Sequence, residues 1–303
     1  MASSLRELRE RRRSVSTTQK ITRAMEMIAA SRIIKAQRKA RAAMPYTRAL
    51  THAVSALATH SEVEHPLLTD HQPPRRSAML LITGDRGLAG AYSANVIKAA
   101  EKLHARLVRE EGQENVQYVT GTKGVSYFDF RGRHVEQSWT GFSDAPEYAH
   151  AKEIAEVLIK RFLLPYEEGG VDQIHVVGTR FVSTLTQQAT AVRLLPLVVE
   201  ESEETPVNGE IIPFYSFEPD AAAVLDQLLP MYVANRVYTA LLQSAASELA
   251  SRQRAMKSAT DNAQDLIETL TREANQARQA EITQEISEIV GGAAALAESA
   301  GNE

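Results

Sequence analysis

The sequence predicts a mixed α/β chain: a central α/β domain held between two long terminal helices that pair as an antiparallel coiled coil. Three observations predict it. Twelve of the 15 Gly lie between Gly84 and Gly209, and nine of the 11 Pro between Pro66 and Pro219. Residues 1–60 hold no Gly and one Pro, Pro45, so the ends read as helix and the middle as turns. Charge divides the chain at the same places. The 34 Lys+Arg and 38 Asp+Glu sum to −4, yet residues 1–60 carry +10, 61–217 carry −7 and 218–303 carry −7. A chain of 303 residues can bury a sizeable core, and this partition excludes one doubly wound fold over its whole length. Three segments follow: an N-terminal coiled-coil helix at 1–60, the α/β domain at 77–217, and a C-terminal coiled-coil helix at 218–303.

The first helix opens with Ser3 or Ser4 before Glu7, the pattern of a capping box. Leu5, Leu8, Val15, Ile21, Met25 and Ile28 then form an apolar stripe at helical spacing, with a kink expected at Pro45. The last helix starts at Glu218-Pro219-Asp220, which places acids at the positive end of the dipole. Its stripe runs from Leu225, Leu228 and Leu229 through Leu249, Met256, Leu266 and Leu270 to Ile282, Ile286, Ile289 and Val290. Spacings of three, four and seven over so long a segment are those of a coiled coil, and the first helix is the other comparable stripe in the chain. Small residues (Ala29, Ala30, Ala259, Ala263, Ala274, Ala277) let the two backbones approach, and opposite net charge favours the pairing.

Between them, apolar runs alternate with helical stretches. Strands are read at 77–83, 117–120, 134–139, 174–178 and 184–195, the last as an antiparallel edge partner of 172–179. Helices are read near 91–110, 123–130 and 146–164. This alternation makes a mainly parallel, Rossmann-like sheet. Residues 202–210 are acidic and turn-rich, a surface loop.

Several chemistries are excluded. Zero Cys removes disulfides, thiolate metal sites and a cysteine nucleophile. No run of about 18 apolar residues spans a membrane, and no apolar run follows the N-terminal charges as in a secretory signal. Gly84-x-x-Gly87-x-x-Gly90 follows a strand, but the dinucleotide fingerprint needs G-x-G-x-x-G and the phosphate loop a Lys; a tight turn is the better reading. Gly121-Thr122-Lys123-Gly124 is read as a turn and helix start. The eight His show no zinc-binding spacing, and His175 reads as a core histidine. Asp144 and Glu147 read as a helix cap. No catalytic, cofactor-binding or metal-ligating residue is assigned. Three classes remain: a scaffold or mechanical subunit whose coiled coil enters a larger assembly, a coiled-coil nucleic-acid-binding scaffold using the basic arm, and a dehydrogenase-like enzyme weakened by its glycine spacing. Tyr46 is the one aromatic residue in 1–60, so the basic arm carries no stacking platform.

Longer motifs then point to a family. Residues 17–32 (TTQKITRAMEMIAASR) resemble the N-terminal motif of the gamma subunit of F-type ATP synthase, and 277–293 (ARQ through ITQEISEIVGGA) resemble its C-terminal motif. Residues 84–92 (GDRGLAGAY), 217–229 and 255–263 (AMKSATDNA) are similar to the same family in the same order. Ala89 stands where the family usually has Cys, and a Cys-free chain lacks the redox pair of chloroplast gamma subunits. The N-terminus, without a transit segment, is expected of a bacterial protein. The resemblance implies a central-stalk rotor, itself non-catalytic and without cofactor. Its partners are the alpha and beta subunits, whose hexamer cavity receives the helix pair, the epsilon subunit and the c-subunit ring. It implies a peripheral protein of the cell membrane on the cytoplasmic side. By matching position it assigns Arg278, Gln279, Thr283 and Glu285 to the beta-subunit catch loop, and Met25 and Arg252 to the neighbourhood of the acidic lever of beta. It brings residues 200–204 near the c ring.

Overall fold

The computed structural model describes residues 5–60, 65–70, 72–197 and 220–300. The Ser3/Ser4 cap, the acidic stretches at 200–204 and 202–210, and Glu218-Pro219 lie outside the described residues. The elements run α1 (Leu5–His60), β1 (Arg76–Ile82), α2 (Tyr92–Ala105), β2 (Glu114–Thr120), α3 (Thr122–Phe130), β3 (Gln137–Trp139), α4 (Tyr148–Leu163), β4 (Gln173–Phe181), β5 (Gln187–Leu195) and α5 (Ala221–Ala300). Helix α1 continues through Pro45, and α5 through Pro230. A π-helical turn at Arg106–Glu110, which no residue pattern announced, prolongs α2. Asp220 caps α5: its carboxylate accepts the Ala223 N–H at 2.9 Å.

The packing divides the chain into two compact units: 1–28 with 254–303, and 29–253. In the first, α1 and α5 run antiparallel. Thr22 and Thr260 share a hydrogen bond of 2.8 Å, Gln19 donates to Gln264 at 2.7 Å, and Leu8 is buried with Leu270 and Ala274. Each step forward on one helix is matched by a step back on the other. The seam repeats by seven: Leu8, Val15 and Thr22 on α1, Met256, Ala263 and Leu270 on α5. Here the structure corrects the sequence reading. Ile21, Met25 and Ile28, placed on the stripe by their apolarity, are exposed, as are Leu266, Ile282, Ile286, Ile289 and Val290. The strict heptad selects Thr22 instead, because a residue one position away from the seam points off it.

The second unit holds the sheet, the second part of α1 and the first part of α5. Strand order is β3-β2-β1-β4-β5, with β1 to β4 parallel and β5 antiparallel to β4, the edge hairpin partner the alternation predicted. Alternate residues of β1 enter two cores. Leu80 and Ile82 join Ile154 and Leu158 of α4 with Val54, Leu229 and Val233 of the helix pair. Met79 and Leu81 join Val96 and Leu103 of α2 and Phe128 of α3. Both faces of a parallel sheet are covered, so its strands read as continuous apolar runs. In this unit α1 and α5 are also antiparallel: Ile33 and Ala36 pack on Ala246, Leu249 and Ala250, and the buried Asn235 donates to Thr47 at 3.0 Å.

Leu158 is fully buried in the first core and Phe130 is 89% exposed beyond it. Leu158→Ala is expected to destabilise the chain by about 2–5 kcal/mol in urea melts, and Phe130→Ala by no more than about 0.5 kcal/mol.

Candidate functional site

In an open parallel sheet the crevice for ligands lies at the carboxyl ends of the strands, where strand order reverses. Here that point is the end of β1, flanked by β2 and β4, and the Gly84–Gly90 turn leaves it. The turn is filled by its own chain. One oxygen of the Asp85 carboxylate accepts the N–H and hydroxyl of Thr122 at 3.0 and 3.1 Å; the other accepts the Gly141 and Ser143 N–H groups at 2.9 Å each. The first turn of α3, where a phosphate would find its donors, thus holds a carboxylate. Burial opposes that charge, but the N–H bonds from Ser143, Gly141 and Thr122 and the Thr122 hydroxyl outweigh it and hold the Asp85 pKa below the usual carboxylate range. Gly121, at φ 89°, lets the β2–α3 turn pass under Thr83: a Cβ there would lie 2.3 Å from the Thr83 carbonyl oxygen.

Helix α5 closes the crevice. The Glu248 side chain is 1% exposed and its carboxylate bonds the Arg252 guanidinium at 2.5 Å. The same guanidinium nitrogen donates at 3.4 Å to the carbonyls of Arg86 and Gly87. A Cβ on Gly84 would sit 3.1 Å from the Glu248 carboxyl carbon, so the strand end and the helix are at contact distance. Desolvation raises the Glu248 pKa against the opposing pull of Arg252 and of the Ser143 hydroxyl. Tyr92, fully buried nearby, is also raised, by desolvation first and by Glu248 second. Helix α1 joins through Arg32, ion-paired with Asp144 in the loop after β3. The carboxylates read as one cap therefore part company: Glu147 caps α4 reciprocally with His150, while Asp144 faces Arg32. His175 is a buried core histidine whose pKa burial, with Arg106 and Arg193, lowers to about 4.

Of the residues assigned by position, Arg252 belongs to this cluster. Arg278, Gln279, Thr283 and Glu285 are exposed on successive turns of α5 in the first unit, the Thr283 hydroxyl donating to the Gln279 carbonyl at 2.9 Å. Met25, in the same unit, is exposed on α1. Sequence reasoning missed Glu248, Asp85, Asp144 and Arg32. One signal was present: Glu248 is a lone charge in an otherwise small and apolar stretch, four residues before an Arg.

This site defines a class of protein, an α/β domain that spends its switch point on gripping a helix pair. The sequence pattern described as ATP synthase matches residues 4–296. The chain is 61% identical to the ATP synthase gamma chain of Cutibacterium acnes over 100% of both chains, and 60% identical to that of Acidothermus cellulolyticus over 98% of each. Among solved structures it is similar to a rotor chain of the Euglena gracilis mitochondrial ATP synthase, with a TM-score of 0.62 and 16% identity over 92% of this chain and 98% of that one. A chain of the OSCP/F1/c-ring assembly of the same organism gives 0.63 and 18% over 96% and 94%. At such identity the likeness is one of fold. The chain belongs to the ATP synthase gamma chain family.

A carboxylate with a lowered folded pKa contributes stability that is present above its unfolded pKa and lost as pH falls through the folded one. Asp85→Asn is therefore expected to cost about 1–3 kcal/mol at neutral pH, where an amide N–H₂ replaces an acceptor. The difference between variant and parent in urea melts should shrink at pH values well below the usual carboxylate range.

Proposed function

We propose that the chain is the central-stalk rotor subunit of a bacterial F-type ATP synthase. It couples proton flow through the membrane sector to ATP synthesis in an alpha-beta hexamer and supplies no catalytic group itself. The observation that carries this reading is 61% identity to a gamma chain with neither chain left uncovered. The non-catalytic reading draws support from the switch point, where Asp85, Glu248 and Arg252 occupy the space a small ligand would take. Family membership replaces the nucleic-acid-binding reading of the basic helix.

In this reading the helix pair enters the hexamer cavity, and the α/β domain sits with epsilon on the c ring. The chain is peripheral to the cell membrane on its cytoplasmic side; among the described residues no helix is long and apolar enough to cross a membrane. A rotor acts by contacting each beta subunit differently in turn, and that differential free energy shifts the partner between states. Such contacts need side chains not spent inside the chain. Met25, Arg278, Gln279, Thr283 and Glu285 are exposed and fit that need. Arg252 joins them with a second task, since a beta carboxylate approaching it competes with Glu248.

The test is reconstitution with alpha, beta and the membrane sector. Arg278→Ala is expected to leave the melting of the isolated chain within about 0.5 kcal/mol of the parent while lowering ATP-driven proton pumping. Met25→Lys places an ammonium among beta carboxylates and is expected to impair pumping per ATP hydrolysed more than assembly. Unchanged pumping in both variants would overturn the proposed contacts, and failure of the parent chain to assemble would overturn the rotor reading.

A further inference from the structure

Where α5 crosses the edge of the sheet it leaves a cavity of about 400 Å³. The reason for it lies in the sequence. Gly178 of β4 is paired with Thr190 of β5, and Ser244 of α5 packs so close to Gly178 that a Cβ there would meet its hydroxyl at 3.0 Å. Helix and strand touch at that point, and beside it Arg236, Thr239, Ala240 and Gln243 of the helix line one side of the cavity. The space left between them is larger than a few waters need and lies within the usual size of a small-molecule pocket.

Its lining is sorted by chemistry. Val176, Val192 and Ala240 make an apolar wall, and Arg180 of β4 and Arg236 of α5 supply two guanidinium groups. Among the described residues neither arginine has a carboxylate partner; Arg236 has only the ring of Tyr232, at 6.0 Å. Arg193 also lines the cavity, but its charge is met by Asp70 at 3.5 Å. No Asp or Glu is among the described lining residues. Two unpaired planar cations beside an apolar wall form the complement of a phosphate carried on a flat apolar body.

We propose that this cavity binds a nucleoside phosphate: the phosphates on Arg180 and Arg236, and the base against Val176, Val192 and Ala240. The site is remote in kind from the filled switch point, where the chain's own carboxylate takes the place of an anion. It does not rest on the rotor reading and is tested on the chain alone, so each can fail without the other.

The test is calorimetric titration of the purified full chain with ATP, adenosine and inorganic phosphate in turn. Saturable binding of ATP is expected, with adenosine and phosphate each weaker by about tenfold or more, because each engages half of the site. Arg180→Ala and Arg236→Ala are expected to weaken ATP by about tenfold or more, and both side chains are exposed enough for the variants to fold, which thermal melting checks. No saturable ATP binding overturns the proposal. So does binding that the arginine variants leave unchanged, or phosphate binding as tightly as ATP, which would mean an adventitious anion site without a base pocket.

Discussion

The grip of the α/β domain on α5 depends on one carboxylate that the chain buries. Glu248 is desolvated, which by itself disfavours its charge, and it is held by Arg252. Such a pair yields little net stability over a well-packed apolar one, but losing either partner strands the other charge. Its effect here is geometric. The same guanidinium nitrogen reaches the Arg86 and Gly87 carbonyls, and the absent side chain of Gly84 leaves the carboxyl its room. Both residues lie on α5, so rotating or sliding the helix leaves the pair intact but breaks its contacts with the Gly84–Gly87 turn together.

Apolar burial does not have that property. It is non-directional, and two smooth faces can shift past each other at modest cost. The helix pair is therefore fixed in each unit by buried polar contacts set among small residues. In one unit this is Thr22 with Thr260; in the other, Asn235 with Thr47. Strand β4 adds backbone anchors, as the Thr179 N–H donates to the Ser244 hydroxyl at 3.1 Å and the Phe181 N–H to the Gln243 side chain at 3.0 Å. A polar contact within a helix seam selects one register out of several. A subunit that turns under load, as proposed, needs that selection more than it needs added stability.

Much of this fold was legible because its signals are local. Alternation of apolar runs with helical stretches located every strand, and the loose alternation of 184–195 marked the antiparallel edge. The two long helices were visible from the confinement of Gly and Pro to the middle. What stayed hidden depends on neighbours distant in the chain. The heptad seam is a clear case, since Ile21 and Ile28 outrank Thr22 and Ala29 on any hydrophobicity scale, yet Thr22 and Ala29 are buried and the isoleucines exposed. Asp85 looked like a turn residue because its four donors come from segments 37 to 58 positions away. The positional residues Arg278 to Glu285 came from resemblance alone, because nothing in an exposed helix face distinguishes them from solvated charge.

A helix pair stabilised only by itself would place its largest apolar side chains in its own seam. This chain places Leu8, Thr22, Ala263 and Ala274 there and leaves Ile21, Met27 and Ile28 of α1 between 52% and 62% exposed, while Ile282, Ile286 and Ile289, on the part of α5 past the residues that face Leu8, are between 46% and 72% exposed. Apolar groups scattered singly over a surface need no explanation, but repeated ones on the same helices do. In the proposed assembly they are the side chains that meet the walls of the hexamer cavity. A small-residue seam keeps the pair slender, and large apolar residues outside give the walls a surface to press on without a fixed partner. Polar groups such as Arg278 and Glu285 then supply the contacts that form and break with angle. The division runs opposite to that of a globular core because the surroundings, in this reading, are themselves protein.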